Sequence, residues 1–150
     1  MTTVAAILKH KDHALGPHTV ASVPPQTSIA EVTRRLTEHR IGAVLVRDND
    51  QRILGILSER DIVRSLAEHG AGALDMHASD LMTRSLRTAT PETTVAEAMA
   101  MMTAGRFRHI PVLEGDRLIG LVSIGDVVKS RIMEQESEVD SLKAYVAGMG

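Results

Sequence analysis

The sequence predicts a mixed α/β (α+β) fold in which two β-α-β-β-α repeats pack about a pseudo-twofold axis. One observation is an internal repeat that carries Pro25 onto Pro91 and Gly55 onto Gly120, which indicates two copies of one structural unit. Another is the alternation of short apolar runs with helix-spaced apolar residues inside each copy. A third is size, because a copy of about 45 residues is too small to bury its apolar faces well alone.

The two copies match in the same order over most of their length. Only Gln51 has to be dropped from the first copy to keep the alignment. The matched pairs include Pro25–Pro91, Thr27–Thr93, Ala30–Ala96, Glu31–Glu97, Arg40–Arg106, Gly55–Gly120, Ser58–Ser123 and Asp61–Asp126. Matches of this density indicate that both copies share one fold.

Each copy opens with a short extended segment, TVASV or LRTAT, that ends at a proline turn. An amphipathic helix follows, because apolar residues recur at helical spacing in both copies. The stripes are Ile29, Val32 and Leu36 in the first copy and Val95, Met99 and Met102 in the second. Hydroxyl residues ahead of the stripes, Thr27-Ser28 and Thr93-Thr94, offer helix caps.

Each copy continues with two strands and a second helix. The runs AVLVR and HIPVLE predict one strand, and the runs RILGILS and RLIGLVS predict the next. The turns DND and EGD between them predict a hairpin. The final helix begins at S-x-x-D, at Ser58 in the first copy and at Ser123 in the second.

The remaining segments set the predicted domain boundaries. Residues 1–70 should form the first repeat, with TTVAAILKH as its lead-in helix, and residues 79–133 the second repeat, with SDLMT as its lead-in. The Gly- and Ala-rich residues 71–78 have the composition of a linker. Residues 134–150 are helical by composition, with a stripe at Val139, Leu142 and Val146. The stripe predicts a helix packed on its own domain, or alternatively a contact in a dimer.

Composition narrows the function classes. A chain of 150 residues with 43% hydrophobic and 24% charged residues is typical of a globular protein. A net charge of -2 and a single Phe and Tyr argue against nucleic-acid binding. The absence of cysteine excludes disulfides and thiolate chemistry. No apolar run reaches membrane-spanning length and the N-terminus is too quickly polar for a secretory signal, so we expect a cytoplasmic protein without membrane contact.

The doubled motif then identifies a family. The pairs RIGAVLV…ILGILSERD and RFRHIPV…LIGLVSIGD resemble the cystathionine-β-synthase (CBS) domain, in tandem as a Bateman module, from about Val4 to Arg131. The resemblance implies a stand-alone, non-catalytic regulatory module that binds an adenine-containing molecule in a cleft between the repeats. AMP, ADP, ATP or NAD are favoured over S-adenosylmethionine. The resemblance also implies a homodimer that regulates an unidentified protein in trans or through its own assembly.

The S-x-x-D motif has two interpretations. A serine followed three residues later by an acid is close to a capping box, which satisfies free N–H groups at a helix start. An aspartate there would repel a phosphate, but it can accept hydrogen bonds from both hydroxyls of a ribose. The resemblance gives the ribose role to Asp61 and Asp126, with Ser58 and Ser123 beside them.

Phosphate groups require cationic donors, and the two copies differ in supplying them. Arg108 and His109 open the middle strand of the second copy, where the first copy has the neutral Gly42 and Ala43. Arg60 lies inside the first S-x-x-D, where the second copy has Gly125. Two sites of different chemistry are therefore expected. Arg40 and Arg106 match between copies, but we assign them to their own helix ends.

Adenine requires an apolar slot. The candidates are Ile41, Ala43 and Val44 in the first copy and Phe107, Ile110 and Pro111 in the second, although any of them could simply be core. The first copy has Leu45 where the second has Pro111, so the strand geometry of the two sites should differ.

Other chemistry is weakly supported by the sequence. The histidines, among them His10 and His13 in HKDH and the scattered His18, His39, His69 and His77, form no closed ligand set, so we expect no metal site. No catalytic triad and no Walker or dinucleotide-binding loop is present, which argues against an enzyme such as a nucleotide hydrolase. The main alternative is an interaction scaffold with vestigial ligand sites, in which Asp61 and Asp126 are only caps.

Overall fold

The computed structural model describes residues 2–10 and 21–149. These residues form two compact units. Residues 21–86 make up the first unit, which contains the first repeat. Residues 2–10 together with 87–149 make up the second unit, which contains the second repeat.

The first unit is a three-stranded sheet with helices. Its elements are β1 (Ser22–Val23), α2 (Ile29–His39), β2 (Ala43–Arg47), β3 (Ile53–Ser58), α3 (Glu59–His69), a 3-10 helix (Gly70–Asp75) and α4 (Ala78–Leu81). β2 lies in the middle, parallel to β1 and antiparallel to β3. The predicted β-α-β-β-α order is present, although Thr19 and Val20 of the predicted TVASV strand lie outside the described residues.

The second unit repeats this plan with a smaller sheet. Its elements are α1 (Val4–His10), α5 (Val95–Gly105), β4 (His109–Glu114), β5 (Arg117–Ser123) and α6 (Ile124–Met149). β4 and β5 form an antiparallel hairpin, as β2 and β3 do in the first unit. Both predicted hairpin turns are confirmed. A residue with positive φ lies in each, Gln51 in the first and Gly115 in the second.

The predicted strand LRTAT is reduced to a single parallel bridge between Ala89 and Val112. In the first unit the matching ladder includes a bond from the Leu45 amide to the Ala21 carbonyl, at 3.0 Å. The second repeat has Pro111 at the position of Leu45, and proline has no N–H to donate. The ladder therefore keeps only the two hydrogen bonds of Ala89. Its amide donates to the Pro111 carbonyl at 2.9 Å, and its carbonyl accepts from the Leu113 amide at 2.8 Å.

Each lead-in helix packs on the other repeat, not on the one that follows it in the sequence. α1, predicted as part of the first repeat, places its Val4 amide 2.8 Å from the Thr93 carbonyl and buries Val4 in the core of the second unit. α4, predicted to lead into the second repeat, places its Ala78 amide 2.8 Å from the Thr27 carbonyl of the first unit. The two docking modes match residue for residue, so each repeat is completed by an equivalent segment from elsewhere in the chain.

A glycine in each sheet accepts its lead-in segment. A Cβ at Gly120 would lie 2.5 Å from Leu8 Cδ2, on the helix α1. A Cβ at Gly55 would lie 2.8 Å from both the Met82 side chain and the Thr83 carbonyl oxygen, just after α4. The matched glycines are therefore required for close packing of the lead-in segments on the sheets.

The residues predicted as a linker, 71–78, are folded. Most of them form the 3-10 helix Gly70–Asp75, in which Ala73 is fully buried. The next buried residue is Ala78, at the start of α4. The 3-10 helix packs against α2 and α3, with Ala73 as its buried residue.

Helix stripes and caps follow the sequence prediction closely. Ile29, Val32 and Leu36 are buried on α2, and Ser28 caps that helix by accepting from the Glu31 amide. On α5 the buried positions are Val95, Ala98 and Met102, with Thr94 as the cap and Met99 only partly buried. Each unit surrounds its own hydrophobic core.

The C-terminal stripe does not pack on its own domain, so that interpretation is wrong. α6 is one helix from Ile124 to Met149, and Val139, Leu142 and Val146 are 50%, 63% and 60% exposed. The sequence has no glycine or proline between Asp126 and Ala147 to reverse the chain. The helix therefore continues past the sheet instead of turning back onto it.

Candidate functional site

In the first unit, Asp61 lies at the third residue of α3 and forms a complete capping box with Ser58. Its Oδ2 accepts from the Ser58 amide at 2.9 Å and from the Ser58 hydroxyl at 3.1 Å. The Asp61 amide donates in return to Ser58 Oγ at 3.3 Å. Among the residues that the structure describes, no hydrogen bond reaches Asp61 Oδ1, so this half-buried carboxylate keeps one oxygen for other partners.

In the second unit, Asp126 repeats this arrangement at the start of α6. Its Oδ2 accepts from the Ser123 amide at 2.9 Å, and its own amide donates to Ser123 Oγ at 3.2 Å. Asp126 is half-buried, like Asp61. Both S-x-x-D motifs therefore hold a carboxylate at the end of the last strand of the hairpin, in the same geometry.

The first residue of each final helix is tied to the start of the middle strand. The Glu59 amide donates to the Gly42 carbonyl at 2.9 Å, and the Ile124 amide donates to the Arg108 carbonyl at 2.8 Å. Sequence reasoning missed these two carbonyls, because backbone acceptors carry no residue-type signal. The bonds fix the helix start and the strand start as one rigid edge in each unit.

The two serines differ in their remaining capacity. Ser58 donates its hydroxyl proton to Asp61 and accepts the Asp61 amide, so its hydroxyl is engaged in the cap. Within the described part of the chain, the Ser123 hydroxyl only accepts, and its proton is directed to no protein acceptor. A hydroxyl group can donate one hydrogen bond, so Ser123 retains a donor that Ser58 has used.

The predicted phosphate donors lie on these edges. Arg108 is exposed and directly precedes β4, while His109 is half-buried and pairs with Ser123 across the hairpin. Because Ser123 also holds Asp126, the second unit brings Arg108, His109 and Asp126 to one edge. In the first unit the exposed Arg60 lies one residue before Asp61, at the N-terminus of α3.

The predicted adenine residues divide into core and edge. Val44 and Ile110 are fully buried within the two hydrophobic cores, and Ala43 and Pro111 are also buried. These four side chains belong to the buried part of each unit, and their role at an adenine stays a prediction. Ile41 and Phe107, just before the strands, are partly exposed and remain candidates for an apolar contact.

Arg40 and Arg106 end their helices, as expected. Both adopt the left-handed conformation, with φ of 53° and 56°, which normally favours glycine. At Arg40 the backbone N–H donates to the carbonyls of Leu36 and Thr37, which closes the last turn of α2. The recurrence of these arginines is therefore accounted for by their place at the helix ends.

No group of three or more His, Asp or Glu side chains with metal-binding spacing occurs in the described residues. His13 and His18 lie outside those residues, and the His10 side chain is not described. Within the same part of the chain, no helix is long and apolar enough to cross a membrane.

Comparison with known proteins is consistent across sequence and structure. The model of the CBS domain family matches residues 18–68 and 78–132. The CBS domain-containing protein CBSX3, mitochondrial, from Arabidopsis thaliana is 36% identical over 98% of this chain and 73% of its own length. A crystal structure of a CBS-domain-containing protein from Agrobacterium tumefaciens is 44% identical, with a TM-score of 0.81, over 87% of this chain and 93% of that one.

Two more distant solved structures share the fold and contain ligands. CBSX2, solved with AMP, is 22% identical with a TM-score of 0.66, over 90% of this chain and 99% of that one. Another protein's domain pair, solved with 5′-methylthioadenosine and S-adenosyl-L-methionine, is 23% identical with a TM-score of 0.74, over 91% and 98% of the two chains. These likenesses concern the fold alone.

Proposed function

Since the chain belongs to the CBS domain family, as a tandem pair, we propose that it is a non-catalytic sensor of an adenine nucleotide. AMP, ADP, ATP and NAD are the favoured ligands. Its effect on another protein is exerted in trans or through its own homodimer. The observation that carries the proposal is the recurrence of one carboxylate geometry, at Asp61 and Asp126, on the rigid edge of each unit.

The ribose contact uses what the cap leaves available. Oδ2 of Asp61 is occupied by Ser58, but Oδ1 has two lone pairs that can accept from the 2′- and 3′-hydroxyls of a ribose. Hydrogen bonds to a charged group contribute about 1.5–3 kcal/mol each, so two of them account for much of a nucleotide's affinity. The neutral diol also avoids the repulsion that a phosphate would meet at this carboxylate.

The phosphate contact differs between the units. In the second unit, Arg108 and His109 stand at the strand start and supply donors to an anion on the same edge as Asp126. In the first unit, Gly42 and Ala43 supply no charge at the equivalent place, and the predicted donor is Arg60, next to Asp61 in the sequence. We therefore expect the second unit to prefer the more highly phosphorylated ligand.

A scaffold function is the second candidate, and one observation favours it. Both capping boxes are complete within the protein, so neither carboxylate requires a ligand to satisfy the helix start. In that case Asp61 and Asp126 stabilise the fold only, and the protein acts through its surfaces.

Titration of purified protein with AMP, ATP, NAD and S-adenosylmethionine, followed calorimetrically, distinguishes the two functions. We expect Asp61→Ala and Asp126→Ala each to weaken binding about tenfold or more, because each removes at least one charge-assisted bond. A ligand present at about 100 times its dissociation constant should also stabilise the protein by roughly 2.7 kcal/mol. Arg108→Ala should weaken AMP binding but leave adenosine binding unchanged.

Glu97→Ala is the matched control. Glu97 is also the third residue of a capped helix, with its Oε1 at 3.0 Å from the Thr94 amide, but it lies on α5 and away from the proposed edges. All three variants lose a helix cap, which costs about 0.5–2 kcal/mol of stability. Only the aspartate variants should lose affinity. Binding by neither the parent nor the variants would rule out the sensor in favour of the scaffold. Equal binding by all of them would instead rule out the ribose contact of Asp61 and Asp126.

A further inference from the structure

The second half of α6 is helical and exposed. Every residue described from Gln135 to Gly148 is exposed, which amounts to roughly four turns of helix. The segment Glu134–Asp140 carries four carboxylates, and Arg131 forms an ion pair with Glu134, at 3.3 Å, at the near end of this segment. Helical segments of this length gain most of their stability from packing of an apolar face, so a partner on the exposed face would stabilise the arm.

The apolar residues of α6 follow a heptad spacing. Ile132, Val139 and Val146 fall at position a, and Val128, Gln135 and Leu142 fall at position d. The five apolar members are between 41% and 63% exposed, so the seam is uncovered along three heptads. β-branched residues at a with leucine at d favour a parallel two-stranded coiled coil.

The charges beside the seam complement a second copy in the parallel orientation. Glu138 at g and Lys143 at e are separated by five residues, which is the spacing of an interhelical g–e′ pair. Arg131 and Glu136 have the same spacing one heptad earlier, and Arg131 also forms an ion pair with Glu134 of its own helix. Consider an antiparallel pair that places Val139 opposite Gln135 of the second copy. Glu136 would then lie beside the second copy's Glu136, and Glu138 beside its Glu138. The like charges would repel each other, which disfavours this orientation.

We propose that α6 of one chain pairs in parallel and in register with α6 of a second copy, through this seam. Gln135 is the polar member of the seam. Its amide is both donor and acceptor, so two copies meeting in register can hydrogen-bond to each other across the axis. A polar residue at one core position sets register in coiled coils, and Gln135 would have this role here.

Cysteine cross-linking tests the pairing, because the native chain has no cysteine to interfere. Gln135→Cys and Leu142→Cys each place a single thiol at a d position. In a parallel pair in register, that thiol lies within disulfide distance of the same thiol in the second copy. Ala144→Cys, at the outer f position, is the matched control. We expect mild oxidation of the full chain to cross-link both d variants and to spare the control.

The outcomes separate the alternatives. An antiparallel pair can bring at most one of the two d positions onto itself, so cross-linking of only one would overturn the proposal. Sedimentation between about 1 and 200 µM, a range suited to a small interface, should show a dimer that Leu142→Asp dissociates. Glu138→Lys should weaken the dimer and the added Lys143→Glu should restore it. A parent that stays monomeric, or a dimer indifferent to Leu142→Asp, would contradict the α6 interface.

Discussion

An acidic residue three positions after a helix cap recurs along this chain, and its surroundings decide what each one does. Glu97 and Asp80 accept from the backbone amides of Thr94 and His77, at 3.0 and 2.9 Å, on helices whose starts lie outside the proposed ligand edges. Asp61 and Asp126 accept in the same way but stand where a hairpin strand ends and a strand start is tied down. The same hydrogen bond therefore gives all four acidic residues a structural role, and the position of Asp61 and Asp126 permits a binding role in addition.

The titration of Glu97 measures the strength of one such cap. The Thr94 backbone amide, and then the Thr94 hydroxyl, hold the pKa of Glu97 below its ordinary value. A depressed folded-state pKa contributes stability that is fully present above the unfolded pKa and is lost as the pH falls through the folded pKa. Thr94→Ala should raise the pKa of Glu97 part of the way towards its ordinary value, because the residue 94 amide still donates.

Carboxyl carbon shifts followed by NMR during acid titration report this pKa directly. Thr103→Ala is a suitable control, since the Thr103 hydroxyl donates to the Met99 carbonyl on the same helix without contacting Glu97. An unchanged pKa in Thr94→Ala would show that the hydroxyl has no part in the shift. A rise in the control as well would assign the shift to the helix as a whole.

At the scale of elements, the matched glycines Gly55 and Gly120 are equivalent in sequence but unequal in tolerance. A Cβ at Gly55 would lie 2.8 Å from the Thr83 carbonyl oxygen, which the Ile56 amide holds at 3.0 Å. The nearest atoms to a Cβ at Gly120 would all belong to the Leu8 side chain, whose methyl groups can rotate away. We expect Gly55→Ala to destabilise the protein by about 1–3 kcal/mol and Gly120→Ala by less than about 1 kcal/mol.

Urea unfolding of the two variants beside the parent measures this difference. The comparison is internally controlled, because both changes add one methyl group to the same position of the same strand in the two repeats. Equal losses would mean that the lead-in segments dock with the same rigidity on both sheets. A larger loss at Gly120 would reverse the expected order of the two contacts.

Element prediction from the sequence succeeded where side-chain pattern decides the structure. The α2 stripe, the helix caps and both hairpins depend on residue type, and all are present as predicted. The predicted strand LRTAT is reduced to one bridge, because Pro111 on the neighbouring strand has no N–H to donate to it. The cause therefore lies outside the segment itself. The adenine role of Val44 and Ile110 stays a prediction, because an apolar strand residue has the same sequence signal whether it lines a pocket or a core.

At the scale of the whole molecule, repeats in sequence and units in space do not coincide. The family model matches the repeats as 18–68 and 78–132, whereas the lead-in helix α1 packs with residues 87–149 and α4 with residues 21–86. This exchange was not predictable, because the docking hydrogen bonds join backbone groups. We also placed a boundary at residue 134, inside the uninterrupted α6, although no glycine or proline lies between Asp126 and Ala147.

The exchange makes a specific prediction for core mutations. Ile7→Ala, near the N-terminus, removes a side chain from the core of the second unit and should cost about 2–4 kcal/mol there. Met82→Ala, late in the first unit, removes a side chain of similar size from the opposite core. Hydrogen exchange should show loss of amide protection in β4 and β5 for Ile7→Ala, and in β2 and β3 for Met82→Ala. Protection lost in the same strands by both variants would contradict the assignment.

Docking of α1 on the second repeat also constrains how the chain can be made. The ribosome releases this helix before the residues that it packs against, because Thr93 and Gly120 lie far later in the chain. Until then its apolar residues have no permanent place, and the second repeat remains incomplete. Cutting the gene between the repeats would therefore yield two fragments, each of which carries the other's missing piece.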